Sequence, residues 1–241
     1  MTAKDHPVFE APENLNIKIW RYMDFTKYVS LLESRSLFFS RSDLLNDPYE
    51  GAMSHANAKL RSVTDFYKDI PQNFFDQLSQ HAFWLRNWTY VSCWHMNEHE
   101  SAAMWKLYAK TNEAITIQST FKRLHDCLPE NCHVGKVHYI DYDKDWLPDN
   151  NALYPFVHKR KSFEHEREIR AVISEWGNYN QRESNPSSGK QITINLENLV
   201  EKVYVAPTSQ VWFAELVENI TKKYDFKVAV TTSSLDEKPI F

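Results

Sequence analysis

Apolar positions along the chain switch between two periods, and the switches mark out the elements. Ile17 to Tyr22 is rich in β-branched and aromatic residues and follows a polar stretch, which predicts a strand. Asp24 then stands as the N-cap of a helix running to about Glu33, in which Phe25, Tyr28, Leu31 and Leu32 recur at helical spacing. Leu37 to Ser40 reads as a short apolar strand, and Asn46-Asp47-Pro48 as a turn, because Asn and Asp bond back to the backbone and Pro fixes φ. Residues 52–86 predict two helices separated near Pro71, the second rich in aromatics. Strands follow at Thr89 to His95, Ala114 to Gln118 and Val134 to Ile140, interleaved with helices at Ser101 to Ala109 and Phe121 to Leu128. An acidic loop covers 141–150 and a helix or turn Ala152 to Lys161. Glu166 to Ser174 alternates as a strand, with Ile169, Ala171 and Ile173 on one face and Glu168, Arg170 and Val172 on the other. The polar stretch Trp176 to Gly189 predicts a mobile loop. Strands at Gln191 to Asn195, Lys202 to Ala206 and Phe226 to Thr231 close the chain around a helix at Thr208 to Tyr224.

This mixture of elements, without a repeat or a linker, predicts an α+β fold: a flexible tail over 1–16, then a single domain over 17–241 with a mixed, mostly antiparallel sheet and flanking helices. A chain of 241 residues buries enough surface to need no metal or disulfide for its core. Its formal charge of −4 gives no support to a nucleic-acid partner. The three cysteines are too few and odd in number for a secreted disulfide framework, the N-terminus lacks an apolar signal region, and no apolar run reaches membrane-span length. A cytoplasmic protein without a membrane partner is expected.

Glycine is scarce. Gly51, Gly135, Gly177 and Gly189 lie too far apart for a glycine-rich phosphate loop, which excludes the P-loop and the dinucleotide fingerprint. Cys93-x-His95-x3-His99 and Cys127-x4-Cys132-His133 contain zinc-type ligands without zinc-type spacing, and Cys93 falls in an apolar strand, so no metal is assigned. Asp141-x-Asp143-x-Asp145 imitates a calcium loop, but Trp146 stands where glycine is required and Ala152 where the closing glutamate belongs.

The sharpest feature is Glu164-His165-Glu166-Arg167-Glu168-Ile169-Arg170. On a strand, Glu164, Glu166, Glu168 and Arg170 share a face, and carboxylates in line repel unless a cation or a proton intervenes. The bland reading is the solvated edge of an antiparallel sheet; the functional one places a glutamate at a cleft as an acid, base or stabiliser of positive charge. Asn46, Asp47 and Glu50 around the Pro48 turn, and Trp105 and Tyr108 at helical spacing, complete the candidates for ligand contact, beside their plainer readings as a well-made turn and as core.

Taken in order, Trp20-Arg21-Tyr22, Leu37-Phe38-Phe39-Ser40, Asn46-Asp47-Pro48-Tyr49-Glu50, Met104-Trp105-x-x-Tyr108-Ala109 and Glu166-Arg167-Glu168-Ile169-Arg170 resemble the bacterial family known as domain of unknown function 2971, over about residues 19 to 231. The sequence departs from that pattern at Glu113-Ala114, where the family usually carries a glycine. The layout of an early strand with Arg and a late strand opening on Glu is also similar to the ADP-ribosyltransferase superfamily. That similarity implies NAD as substrate, nicotinamide release, Glu168 and Glu166 as the catalytic pair, and Arg21 or Tyr22 as the residue that holds the dinucleotide. It further implies a bacterial or phage-defence effector. The alternative is a non-catalytic ligand-binding or protein-interaction module in which Asn46, Asp47, Glu50, Glu166, Glu168 and Arg170 form one buried polar network. Geometry separates the two: an enzyme needs these groups at an open cleft, whereas a module leaves them mutually saturated.

Overall fold

Strand β1 (Lys18–Asp24) buries Ile19, Trp20, Tyr22 and Met23, and it pairs antiparallel with β4 (Ala114–Thr120) over its full length, Lys18 opposite Thr120 and Asp24 opposite Ala114. In the computed structural model, which describes residues 5–63, 68–109, 111–175, 185–237 and 239–240, the fold is α+β and its strands are mostly antiparallel. The chain forms two compact units that interleave along the sequence. One comprises Met1–Ala11, Phe39–Ser92 and Glu130–Lys190; the other comprises Pro12–Phe38, Cys93–Pro129 and Gln191–Phe241.

The β1–β4 unit has both strands apolar on both faces, the signature of strands covered on two sides. Helix α1 (Phe25–Ser34) buries Tyr28, Leu31 and Leu32, the spacing that one helical stripe presents to a core, and it stops at Arg35 in the left-handed region. Strand β10 (Lys202–Val205) adds antiparallel to β4, and β11 (Ala229–Thr232) adds parallel to β10. A parallel neighbour requires a crossover, supplied by the helix Val211–Lys223. Within this unit Tyr28 Oη lies 2.8 Å from Thr221 Oγ1, fixing that helix to α1. A short helix over Ala102–Tyr108 starts from Ser101, whose hydroxyl accepts the Met104 amide as an N-cap should.

The other unit is built on β8 (Glu168–Ser174), which is buried from Glu168 to Ile173 and pairs antiparallel with β5 (His133–Lys136), His133 opposite Val172 and Lys136 opposite Ile169. Strand β3 (Thr89–Met96) pairs with β8 and, through Val91 and Tyr90, with Ser40 and Arg41 of β2 (Ser36–Arg41). A separate parallel ribbon joins β6 (His138–Ile140) to β7 (His158–Arg160). Helices α2 (His55–Val63) and α3 (Gln72–Asn87) fall where two helices are expected.

Four expectations change here. The strand expected over 134–140 divides after Val137: the Val137 amide still donates to the Glu168 carbonyl of β8 at 2.9 Å, whereas the His138 amide turns to the Val157 carbonyl at 2.8 Å and opens a separate ribbon. The helix or turn expected over 152–161 is a 3-10 turn at Tyr154–Phe156 followed by β7. Part of the expected flexible tail is packed: Val8 and Phe9 are buried, and the Lys136 amide donates to the Glu10 carbonyl at 2.8 Å. The expected mobile loop lies mainly outside the described residues, and its last residue, Gly189, opens the strand Gly189–Thr193.

Gly51 has φ +68°, and a Cβ there would stand 2.7 Å from Phe156 Cε1 and 2.9 Å from Arg86 Cγ. Backbone strain and overlap act together, so Gly51→Ala is expected to lower stability by about 2 kcal/mol in urea denaturation, whereas Gly189→Ala lowers it by less than about 1 kcal/mol.

Candidate functional site

The acidic motif does not run along one strand. Residues Lys161–Glu166 form a 3-10 turn that ends on Arg167 in the left-handed region, φ 41°, and β8 begins only at Glu168. Glu164 is exposed, while Glu166 and Glu168 are buried, so the expected in-line row of carboxylates is broken. The turn leaves Glu164 at the surface and brings Glu166 and Glu168 onto a shared cation, Lys159, where an extended strand would stack like charges on one face. The expected solvated sheet edge is also absent, since β8 is covered on both faces.

What the turn assembles is a closed ion network centred on Arg170, whose side chain is 0% exposed. Its Nε donates to Glu168 Oε1 at 2.6 Å, and Nη2 donates to Glu168 Oε2 at 3.2 Å and to Glu50 Oε2 at 2.9 Å. Nη1 donates to Glu50 Oε1 and, at 2.9 Å, to the Phe156 carbonyl. Every N–H of the guanidinium thus has an acceptor, and both glutamates are held by two bonds, Glu168 side-on and Glu50 end-on. Lys159 of β7 extends the network: its ammonium donates to Glu166 and, at 3.3 Å, to Glu168 Oε2, with the Phe163 ring beneath it at 4.7 Å. The Glu168 amide donates to Tyr139 Oη at 2.8 Å. Burial alone would lower the Lys159 ammonium, but Glu168 and Glu166 beside it raise it above its ordinary value. Burial raises Glu50 against the pull of Arg170, and the neighbouring Glu168 carboxylate adds to the rise.

Asp47 and Glu50 come from the turn predicted in the sequence. Asp47 Oδ1 accepts the Tyr49 amide at 3.0 Å, the Asx geometry that the turn implies, and also Arg160 Nη2 at 2.8 Å. Arg160 in turn lies over the Tyr49 ring at 4.6 Å. Asn46 is exposed. Asp47, Glu50, Glu166, Glu168 and Arg170 are therefore brought together in one unit. Lys159, Arg160 and Tyr139 were missed. Their strands are three residues each, too short for a period to register; the only signal was the basic run His158-Lys159-Arg160-Lys161 close to an acidic one.

Arg21, Tyr22, Trp105 and Tyr108 belong to the other unit. Tyr22 and Trp105 meet edge to face at 5.0 Å within a core cluster that also holds Trp20 and Met104. Tyr22 Oη accepts the Ser101 amide at 2.8 Å, and Trp105 Nε1 donates to Glu100 Oε2 at 3.0 Å. Burial raises the Tyr22 phenol above its usual range, so it stays a neutral hydroxyl. Arg21 Nη2 donates to the Phe38 carbonyl at 2.8 Å, and its guanidinium faces the Trp94 ring at 5.8 Å; burial pulls it down to about 10, still a cation at neutral pH. Tyr108 is exposed on its helix. A cleft of about 650 Å³ in this unit is lined by Lys18, Arg123, Glu197 and Glu201 among others, and by none of the residues singled out in the sequence. Among the described residues no group of His, Cys, Asp and Glu is placed to hold a metal, and no helix is long and apolar enough to cross a membrane.

No protein-family model matches the chain, which leaves the resemblance to domain of unknown function 2971 without that support, and no curated protein matches it. Among solved structures it is similar to DarT of Thermus sp. 2.9 in complex with NAD+, with 10% identity, a TM-score of 0.41, and coverage of 92% of this chain and 96% of that one. It is similar to the same protein in complex with ADP-ribosylated single-stranded DNA, with 10% identity, a TM-score of 0.42 and the same coverage. Likenesses this slight carry no inference about chemistry.

Arg170→Met leaves buried carboxylates without their shared cation, and it is expected to cost about 3–5 kcal/mol in urea denaturation. Glu50→Gln removes a charge from a network with more acids than bases and is expected to cost less than half as much. Glu50 holds its proton more tightly folded than unfolded, so its contribution is fully present below its ordinary value of 4.5 and is lost as pH rises through the folded value. The stability of the wild type relative to Glu50→Gln should therefore fall as the denaturation series moves upward from that pH.

Proposed function

We propose that the chain is an ADP-ribosyltransferase-like protein that takes NAD as substrate and releases nicotinamide. The observation that supports this reading is Glu168: it opens the late strand β8, directly after a left-handed residue, and its carboxylate is fixed by Arg170 and Lys159. A carboxylate held in place before any substrate arrives is the kind of group that stabilises positive charge developing on a ribose carbon as the nicotinamide C–N bond breaks. The electron pair of that bond leaves with nicotinamide, and an acceptor nucleophile takes the ADP-ribosyl group. The early-strand pair Arg21 and Tyr22 and the late-strand Glu168 repeat the order of the superfamily layout, and Glu166, in the turn before that strand, supports Glu168 through the lysine they share. A defence or toxin effector is the role that such a reaction would serve.

A second reading rests on an observation of its own. Glu168 is only 4% exposed, and both of its carboxylate oxygens accept from cations inside the protein, Arg170 and Lys159. That saturation is what a non-catalytic binding or interaction module would show, with the network serving to lock the turn at 46–50 onto β7 and β8.

Nicotinamide release from NAD by the purified protein decides between them. Under the first reading the wild type turns NAD over and Glu168→Gln lowers the rate by about 100-fold or more, with folding of the variant checked by circular dichroism. Equal rates from a folded variant and the wild type, or no turnover from either, remove the transferase and leave the module.

A further inference from the structure

Histidines gather on one face of the β8 unit, outside the ion network. The His6 ring lies 4.9 Å from His133 and 5.8 Å from Phe9, and the Phe9 ring lies 5.2 Å from His133. His138 stacks on His158 at 5.3 Å. Residues 5–11 cross β5 at Gly135, where a Cβ would stand 2.8 Å from the Phe9 backbone; the missing side chain is what lets this segment sit so low. The segment is tied at its two ends by different chemistry. At one end Glu10 holds Lys136 Nζ at 2.6 Å and His138 Nε2 at 3.5 Å, and its carbonyl accepts the Lys136 amide at 2.8 Å. At the other end everything turns on the His6 ring.

Both polar neighbours of that ring are donors. The Val8 amide points at Nδ1 from 3.3 Å, and Asn151 Nδ2 lies 3.4 Å from Nε2. The Asn151 amide is not free to turn over, since its Oδ1 already accepts the Leu153 amide at 2.9 Å. A neutral imidazole can accept from one of these donors, whereas an imidazolium has only N–H groups and opposes both. Its charged surroundings add to the conflict. His133 and Lys136 come from β5, His138 from β6 and His158 from β7, all cationic or able to become so, and the acids on the segment itself are Asp5 and Glu10, the latter already engaged with Lys136 and His138.

We infer that residues 5–9 form an acid-released strap, held down by a neutral His6 and lifted when the His6 ring becomes protonated, with Glu10 remaining as the hinge. Burial and then the neighbouring His133 lower His6 below its ordinary value, in agreement with a ring that is held neutral by its site. Lifting the strap would uncover Val8, Phe9 and the Gly135 face of β5. Glu10 stays ionised throughout, since its hydrogen bond from Lys136 holds it low.

Amide hydrogen exchange on the full chain, read at about pH 7.5 and about pH 5, tests this inference. The protection of the Val8 and Phe9 amides is expected to fall about tenfold or more at the lower pH, while the Lys136 amide keeps its protection. His6→Phe keeps an aromatic ring against His133 without a titrating group; it removes the acceptor of the Val8 amide, so in this variant the Phe9 amide, which donates to the backbone carbonyl of residue 6, is the one expected to stay protected at both values. A parallel loss at Lys136, unchanged protection at Phe9, or acid release that persists in His6→Phe would each overturn the inference. Should His6→Phe fail to hold the strap at neutral pH, the His6 ring titration followed by NMR in the wild type decides: a midpoint at the ordinary value near 6.5, uncoupled from Phe9 protection, also overturns it.

Discussion

A guanidinium with no water is the constraint around which one unit of this protein is arranged. Arg170 cannot shed its charge, and removing it from solvent is tolerable only where each N–H meets an acceptor and the charge is matched. The chain meets that demand with groups far apart in sequence: Glu50 from a turn, Glu168 from the start of the same strand, and the Phe156 carbonyl from a 3-10 turn. Strand β8 and the Phe156 turn also bury apolar side chains, whereas the turn at 46–50 is joined to them through Glu50 on Arg170 and Asp47 on Arg160.

The same constraint accounts for what could and could not be read from the sequence. The β1, β4 and α1 elements were legible because their apolar residues repeat at strand or helix spacing over several positions, and burial follows that spacing. The Asn46 to Glu50 turn was legible from Asp47 and Pro48 alone, since its geometry is local. Glu164 to Arg170 misled because alternation presumes an extended backbone, and here a 3-10 turn over Lys161–Glu166 and a left-handed Arg167 precede the strand. Lys159 and Arg160 were invisible for the opposite reason. Their strand is only three residues long, and their partners lie either just past the next turn or more than a hundred residues away, as in the Arg160 pair with Asp47.

The candidate residues divide by unit, and the two sets differ in character. Around Arg170 the polar groups are ionic and mutually engaged. Around Tyr22 and Trp105 they are neutral or singly bonded, set in an aromatic cluster where a phenol and an indole each spend their one polar atom on a neighbour. A pattern that looks like one motif set in sequence order is thus two local structures with different physics, one electrostatic and one apolar.

That difference bears on how a buried carboxylate could take part in chemistry. Glu168 shares its cations with Glu50 and Glu166, so none of the three acids has a cation to itself. Such sharing makes the network adjustable: a positive centre arriving near Glu168 would compete with Lys159 without stranding the lysine, which keeps Glu166, and without stranding Arg170, which keeps Glu50. A one-to-one pair has no such route, because breaking it leaves an unmatched charge in a dry interior. Under the proposed transferase reading, that sharing is what the network would offer a cationic centre; under the module reading, the same bonds are simply the lock.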